Sequence, residues 1–156
     1  MHKKPYSKQR FVAASAKCST KPLSALLTKC LKLVEKQHRI IGNRYFTNHG
    51  INPFWIIGNS TAVHSTVAAL NRKQNCKNIR TYDFSTLYTS IPHKQLKTQL
   101  SRVIKEAFIS SKRSFISVYK NDARWTDSPR KGTIALRCNK VISMLNWLID
   151  NLCYFR

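Results

Sequence analysis

Six carboxylates stand against 28 lysines and arginines in this 156-residue chain, a formal net charge of +22 at pH 7. That much like charge drives a compact state apart unless a polyanion neutralises it. Yet 42% of the residues are hydrophobic, enough for a core, so the chain does not read as a disordered tail. The fold must set an apolar interior under a cationic surface, and nucleic acid is the first partner to consider. The length fits one domain or a piece of one.

Where carboxylates are so scarce, the place of each is informative. Glu35, Glu106 and Asp150 fall on polar faces of expected helices, and Asp122 and Asp127 lie in the turn-rich stretch KNDARWTDSPRKG. Asp83 alone sits inside an apolar strand, in RTYDFSTLYTSIPH. Tyr82 and Phe84 are strand formers on one face with Asp83 between them on the other, and Pro92 closes the segment because it cannot donate to a sheet ladder. An unpaired buried carboxylate is costly or becomes protonated. Three arrangements would account for Asp83: a divalent cation such as Mg²⁺, which prefers carboxylate oxygens, an ion pair with a core arginine, or a cap on the next turn.

The run TYDFSTLYTSIPH resembles motif A of reverse transcriptases, most closely that of Penelope-like retroelements. The family's palm strand carries a metal-binding Asp, then a turn, a Tyr or Phe five positions later, and an Ile-Pro pair. Asp83, Tyr88, Ile91 and Pro92 stand in that register. The resemblance implies that Asp83 is the first catalytic carboxylate and a ligand of Mg²⁺, and that the Phe84 carbonyl also faces metal. The amides of Thr86 and Leu87 would face the incoming deoxynucleoside triphosphate. Tyr88 would be the steric gate that excludes a 2′-hydroxyl. The implied partners are an RNA or DNA template-primer and deoxynucleoside triphosphates.

The segment HKKPYSKQRFVAASAKCSTKPLSALLTKCL resembles the fingers of the same family, where a strand bearing an Arg precedes a Ser/Thr/Pro-rich turn and a helix. By that resemblance Arg10 contacts the triphosphate, a role that suits a guanidinium able to pair bidentately with phosphate oxygens. From the residues alone, Arg10 in the expected strand Arg10–Ser15 reads first as an ordinary edge-strand cation, since surface Arg is common. The implied fold is α/β (α+β): a partial right-hand polymerase, with helix-rich fingers over 1–78 and an incomplete palm sheet over 79–156.

Apolar spacing fixes the remaining elements. Ser19, Thr20 and Pro22 signal a helix start, and Leu23, Leu26, Leu27, Cys30, Leu31 and Val34 line its inner face to about His38. Lys29, Lys32 and Lys36 fall off that face. Gly42, Asn43, Asn48, Gly50 and Asn52 predict a loop over 41–53. Trp55, in the run Phe54–Ile57, reads as core rather than as a base-stacking platform. Ser60 would cap a helix over 61–72 with Val63, Val67 and Leu70 inward. A helix over 93–109 follows, with Leu96, Leu100, Val103, Ile104, Ala107 and Phe108 on one face. Ser114–Lys120 alternates as a strand, with Arg124–Thr126 as its hairpin partner across Asn121-Asp122. A final helix over 139–154 carries Val141, Leu145, Leu148 and Leu152 inward.

Other chemistries find little footing. The five cysteines are odd in number and form no CxxC pair, and the five histidines show no ligand spacing. No apolar run reaches the ~18 residues of a membrane span, and no signal-like core follows the basic N-terminus, so the expected setting is intracellular, nuclear or cytoplasmic, and not secreted. Two-metal polymerisation needs further carboxylates. The family brings them as aromatic-x-Asp-Asp, and no Asp-Asp pair occurs in this sequence. The chain therefore reads as a retrotransposon reverse transcriptase fragment that stops before the second metal-binding motif and is inactive alone, with Asp122 and Asp127 rejected as substitute ligands. The alternative is a non-catalytic, basic nucleic-acid-binding module. A ribosomal-protein-like reading explains the charge but not the register at Asp83.

Overall fold

Helix α1 (Lys21–His49) opens with Pro22 in its first turn, where a missing N–H costs nothing. Thr20 is the N-cap residue, but its hydroxyl makes no cap bond and lies 3.0 Å from the Cys18 sulfur. The computed structural model describes residues 18–51, 53, 60–72 and 91–151. Among these the chain continues with α2 (Ser60–Arg72), α3 (His93–Ser111), β1 (Phe115–Val118), β2 (Ala123–Thr126), β3 (Ile134–Leu136) and α4 (Cys138–Asn151). The architecture is α+β, mixed helix with a small antiparallel sheet.

Helices α1, α3 and α4 pack against one another, and β1 and β2 pack on α1. The expected stripes meet in this core: Leu27, Cys30 and Val34 from α1, Ile104, Ala107 and Phe108 from α3, and Val141, Leu145 and Leu148 from α4. The core draws on residues from both sides of position 78. The buried Leu, Ile, Val and Phe side chains each contribute roughly 1.5–3 kcal/mol relative to exposure. Gln37 continues the α1 stripe with a polar group, and its Nε2 donates to Ser110 Oγ at 3.1 Å. The His38 ring Nε2 lies 2.8 Å from the Val103 carbonyl, a second polar tie between α1 and α3.

Strand β1 is central, in the order β2-β1-β3, and both pairings are antiparallel. Ile116 stands opposite Trp125 on one side and Leu136 on the other. Period-two alternation puts Ser117 on the opposite face, where its hydroxyl is 2.8 Å from that of Thr126 and both are buried. The β1–β2 connection closes with the Tyr119 N–H donating to the Asp122 carbonyl at 2.9 Å, which is the expected hairpin across Asn121-Asp122.

Several sequence expectations need correction. The first helix does not stop near His38 but runs to His49, so positions 41–49 are helical rather than loop. A helix-interior glycine costs only about 1 kcal/mol, and Gly42 is carried by the turns already formed before it. The stop is Gly50, in the left-handed conformation (φ 69°), whose N–H bonds to the Phe46 carbonyl. Val63 is more exposed than an inward residue should be, at 38%. The β3 strand was not expected, being too short to show alternation. Helix α3 runs two residues beyond 109, to Ser111, and is capped by Lys112, a non-glycine residue at φ 55°. The expected strands at 10–15 and 82–84, Trp55 and Leu152 lie outside the described residues.

Candidate functional site

The residues to which the polymerase resemblance assigns a role, Arg10, Asp83, Phe84, Thr86, Leu87 and Tyr88, all lie outside the described residues. The description resumes at the end of the same run. Ile91 is half-buried, and Pro92, extended at φ −66° and ψ 109°, is the N-cap residue of α3. Its carbonyl accepts the Leu96 N–H at 3.0 Å. Proline keeps the residue before it out of the helical region, so the helix can begin only after Ile91.

The other five carboxylates are all described, and each faces a cation. Glu35 binds Arg39 at 2.9 Å, Asp150 binds Lys97 at 2.5 Å and Glu106 lies 3.8 Å from Arg102. Asp122 binds Arg124 at 3.0 Å, and Asp127 pairs with Arg113. These pairs are exposed or half-exposed, and surface pairs of this kind are worth about 0–1 kcal/mol each. Among the described residues no group of three or more His, Cys, Asp or Glu gathers in a way that could hold a metal ion. The described residues thus give Mg²⁺ no donor set. The groups that would hold it, the Asp83 carboxylate and the Phe84 carbonyl, are not among them, and no chemical step is derived through the ion.

What the described residues do build is a basic groove between α1 and the β1–β2 hairpin. Its volume is about 540 Å³, and Lys29, Lys32, Lys36, Asp122, Arg124 and Trp125 are among its walls. Helical spacing explains the first wall, since positions i, i+3 and i+7 lie on one face. Lys29 is the hinge of the arrangement. Its Nζ donates to the carbonyls of Tyr119 at 3.1 Å and Lys120 at 2.6 Å, fastening the hairpin turn to the helix. The second wall is Arg124, whose guanidinium lies 5.3 Å from the Tyr119 ring centroid while its Nε donates to Asp122. Half-buried Trp125 packs edge-on against Phe108, with ring centroids 4.8 Å apart.

Sequence reasoning placed Lys29, Lys32 and Lys36 off the core face but not against the hairpin. Their common spacing was the available signal; the hairpin they meet lies some 90 positions later.

Two thiols differ in kind. A hydrogen bond from the Thr20 side chain holds the exposed Cys18 thiol below the ordinary range, whereas burial pushes Cys30 up to about 11. No helix among the described residues is long and apolar enough to cross a membrane. Comparison with protein-family models, curated proteins and solved structures finds no match to this chain.

Proposed function

We propose that the chain is the fingers and first palm portion of a Penelope-like, RNA-directed DNA polymerase, with Asp83 as its first metal-binding carboxylate. The observation that carries this reading is the register within TYDFSTLYTSIPH, where Asp83, Tyr88, Ile91 and Pro92 each fall at the position motif A requires. Two structural facts support it. Helix α3 begins directly after the Ile-Pro pair. The five described carboxylates are each engaged by a cation, and no competing metal-binding group occurs among the described residues.

In this reading Arg10 and the amides of Thr86 and Leu87 take the triphosphate, and Tyr88 screens the sugar. The 156 residues contain no Asp-Asp pair, so by themselves they bind nucleotide without extending a primer. Photo-crosslinking of an azido-deoxyadenosine triphosphate tests the assignment. Labelling requires Mg²⁺, falls at least tenfold in Asp83→Asn, and extends to the ribonucleotide in Tyr88→Ala. Labelling that is indifferent to Mg²⁺ and to Asp83→Asn rejects it.

A second reading keeps only the charge: a basic module that grips nucleic acid without catalysis. The large surplus of cations over carboxylates favours it. Binding that weakens steeply with salt, together with no Mg²⁺-dependent nucleotide labelling, would select this reading over the first.

A further inference from the structure

We propose that the groove between α1 and the β1–β2 hairpin is a binding track for single-stranded nucleic acid, with Lys32 and Lys36 on its phosphate side and Trp125 as a base platform. The proposal extends the nucleic-acid reading of the charge and makes no use of Asp83.

Lys29, Lys32 and Lys36 form a line on one helix face about 10 Å long, at about 1.5 Å of rise per residue. Such a line spans roughly two or three successive phosphates of a strand. Lys29 is committed to the carbonyls of Tyr119 and Lys120, so its charge is fixed in place. Lys32 and Lys36 are exposed and carry no ion pair among the described residues. The groove holds four cations and a single carboxylate, Asp122, which is already bound to Arg124.

Trp125 lines the same groove from the hairpin side, while also packing partly against the core. The edge-on contact with Phe108 fixes Trp125 while the same residue lines the groove. Cations along one wall and an aromatic ring on the other are the two components by which single strands are held without sequence preference. A second cleft, along α3, also contains cations, but Lys97 and Arg102 there are paired with Asp150 and Glu106. Lys105 is the one lining cation there without an ion pair among the described residues, against both Lys32 and Lys36 in the α1 groove, which is why the α1 groove is the stronger site.

The test is fluorescence anisotropy of a labelled 12-nucleotide oligo(dT) with the full chain across a salt series. Lys32→Glu/Lys36→Glu lowers affinity at least tenfold and reduces the slope of log K against log salt by about 1.4, two contacts at about 0.7 each. A double variant outside the groove, Lys131→Glu/Lys140→Glu, has the same charge change and loses no more than about threefold. Trp125→Leu weakens oligo(dT) more than it weakens an abasic strand of equal length. None of these readouts contains free nucleotide or Mg²⁺, so loss of the polymerase assignment would not carry the groove with it. Thermal melts confirm that each variant is folded. Equal losses in the two charge variants, or an acidic peptide that competes as well as oligo(dT), overturns the proposal.

Discussion

Replacing Lys29 by methionine isolates the bolt between the helix and the hairpin. Methionine keeps an unbranched apolar stem of the same length, with sulfur in place of Cδ, and lacks the ammonium group. Two hydrogen bonds go, at 3.1 Å to the half-buried Tyr119 carbonyl and at 2.6 Å to the exposed Lys120 carbonyl. Hydrogen bonds to a charged group contribute roughly 1.5–3 kcal/mol when sheltered. One of the pair faces water, so about 1–2 kcal/mol in total is the expected loss once solvent competition is allowed for. In a chain of this size 1 kcal/mol moves the melting point by about 2–4 °C. The substitution also removes one positive charge from a chain at +22, which relieves self-repulsion and masks part of the loss. Lys131→Met, exposed and outside the groove, supplies that correction. Circular-dichroism melts of the two variants should differ by about 2–8 °C, Lys29→Met being the lower. Hydrogen exchange should quicken at the Tyr119 amide, which closes the turn. Equal melting points and unchanged Tyr119 exchange would refute the claim that Lys29 holds the hairpin.

Two further expectations concern the core. Ile104 is fully buried while Ile109, on the same helix, is 76% exposed. Ile104→Ala should cost about 3 kcal/mol in denaturant unfolding and Ile109→Ala less than about 0.5, and similar costs would contradict the packing. The Cys30 thiol ionises near 9.0 when ordinary and about 11 when folded, because burial disfavours the thiolate. The unfolded chain therefore releases its proton first, and the stability Cys30 contributes is intact below pH 9.0 and lost as pH rises towards about 11. The wild type should lose ground to Cys30→Ala across that window, and a gap in unfolding midpoint that stays constant with pH would contradict it.

How legible the molecule was in its sequence varied with the range of the interaction concerned. The helical core stripes at Leu27, Cys30 and Val34, at Ile104, Ala107 and Phe108, and at Val141, Leu145 and Leu148 all read correctly, because periodicity and burial agree. The hairpin at 115–126 read correctly as well, through its alternation and its Asn-Asp turn. The errors came where a local signal was weaker than its context. Gly42 and Asn43 argued for a loop, yet the penalty of a single glycine is small beside the cooperativity of an established helix. Strand β3 spans three residues and takes its form from pairing with β1, which no short window reveals. Gln37 and Lys29 look like solvent-facing polar residues until their partners at Ser110 and Tyr119 arrive, more than 70 positions away. The motif A residues were read through a pattern of side chains at fixed spacing; of these Ile91 and Pro92 are described, while Asp83, Phe84, Thr86, Leu87 and Tyr88 lie outside the described residues.

The central claim is that Asp83 holds a divalent ion beside a deoxynucleotide. Titrating Mn²⁺ into isotope-labelled chain in the presence of deoxythymidine triphosphate tests it directly by paramagnetic broadening of backbone resonances. The account predicts selective broadening at Asp83 and Phe84, reaching Thr86 to Tyr88, and its loss in Asp83→Asn. Broadening centred on Asp122, Asp127 or another surface carboxylate, and unaltered by Asp83→Asn, would contradict it.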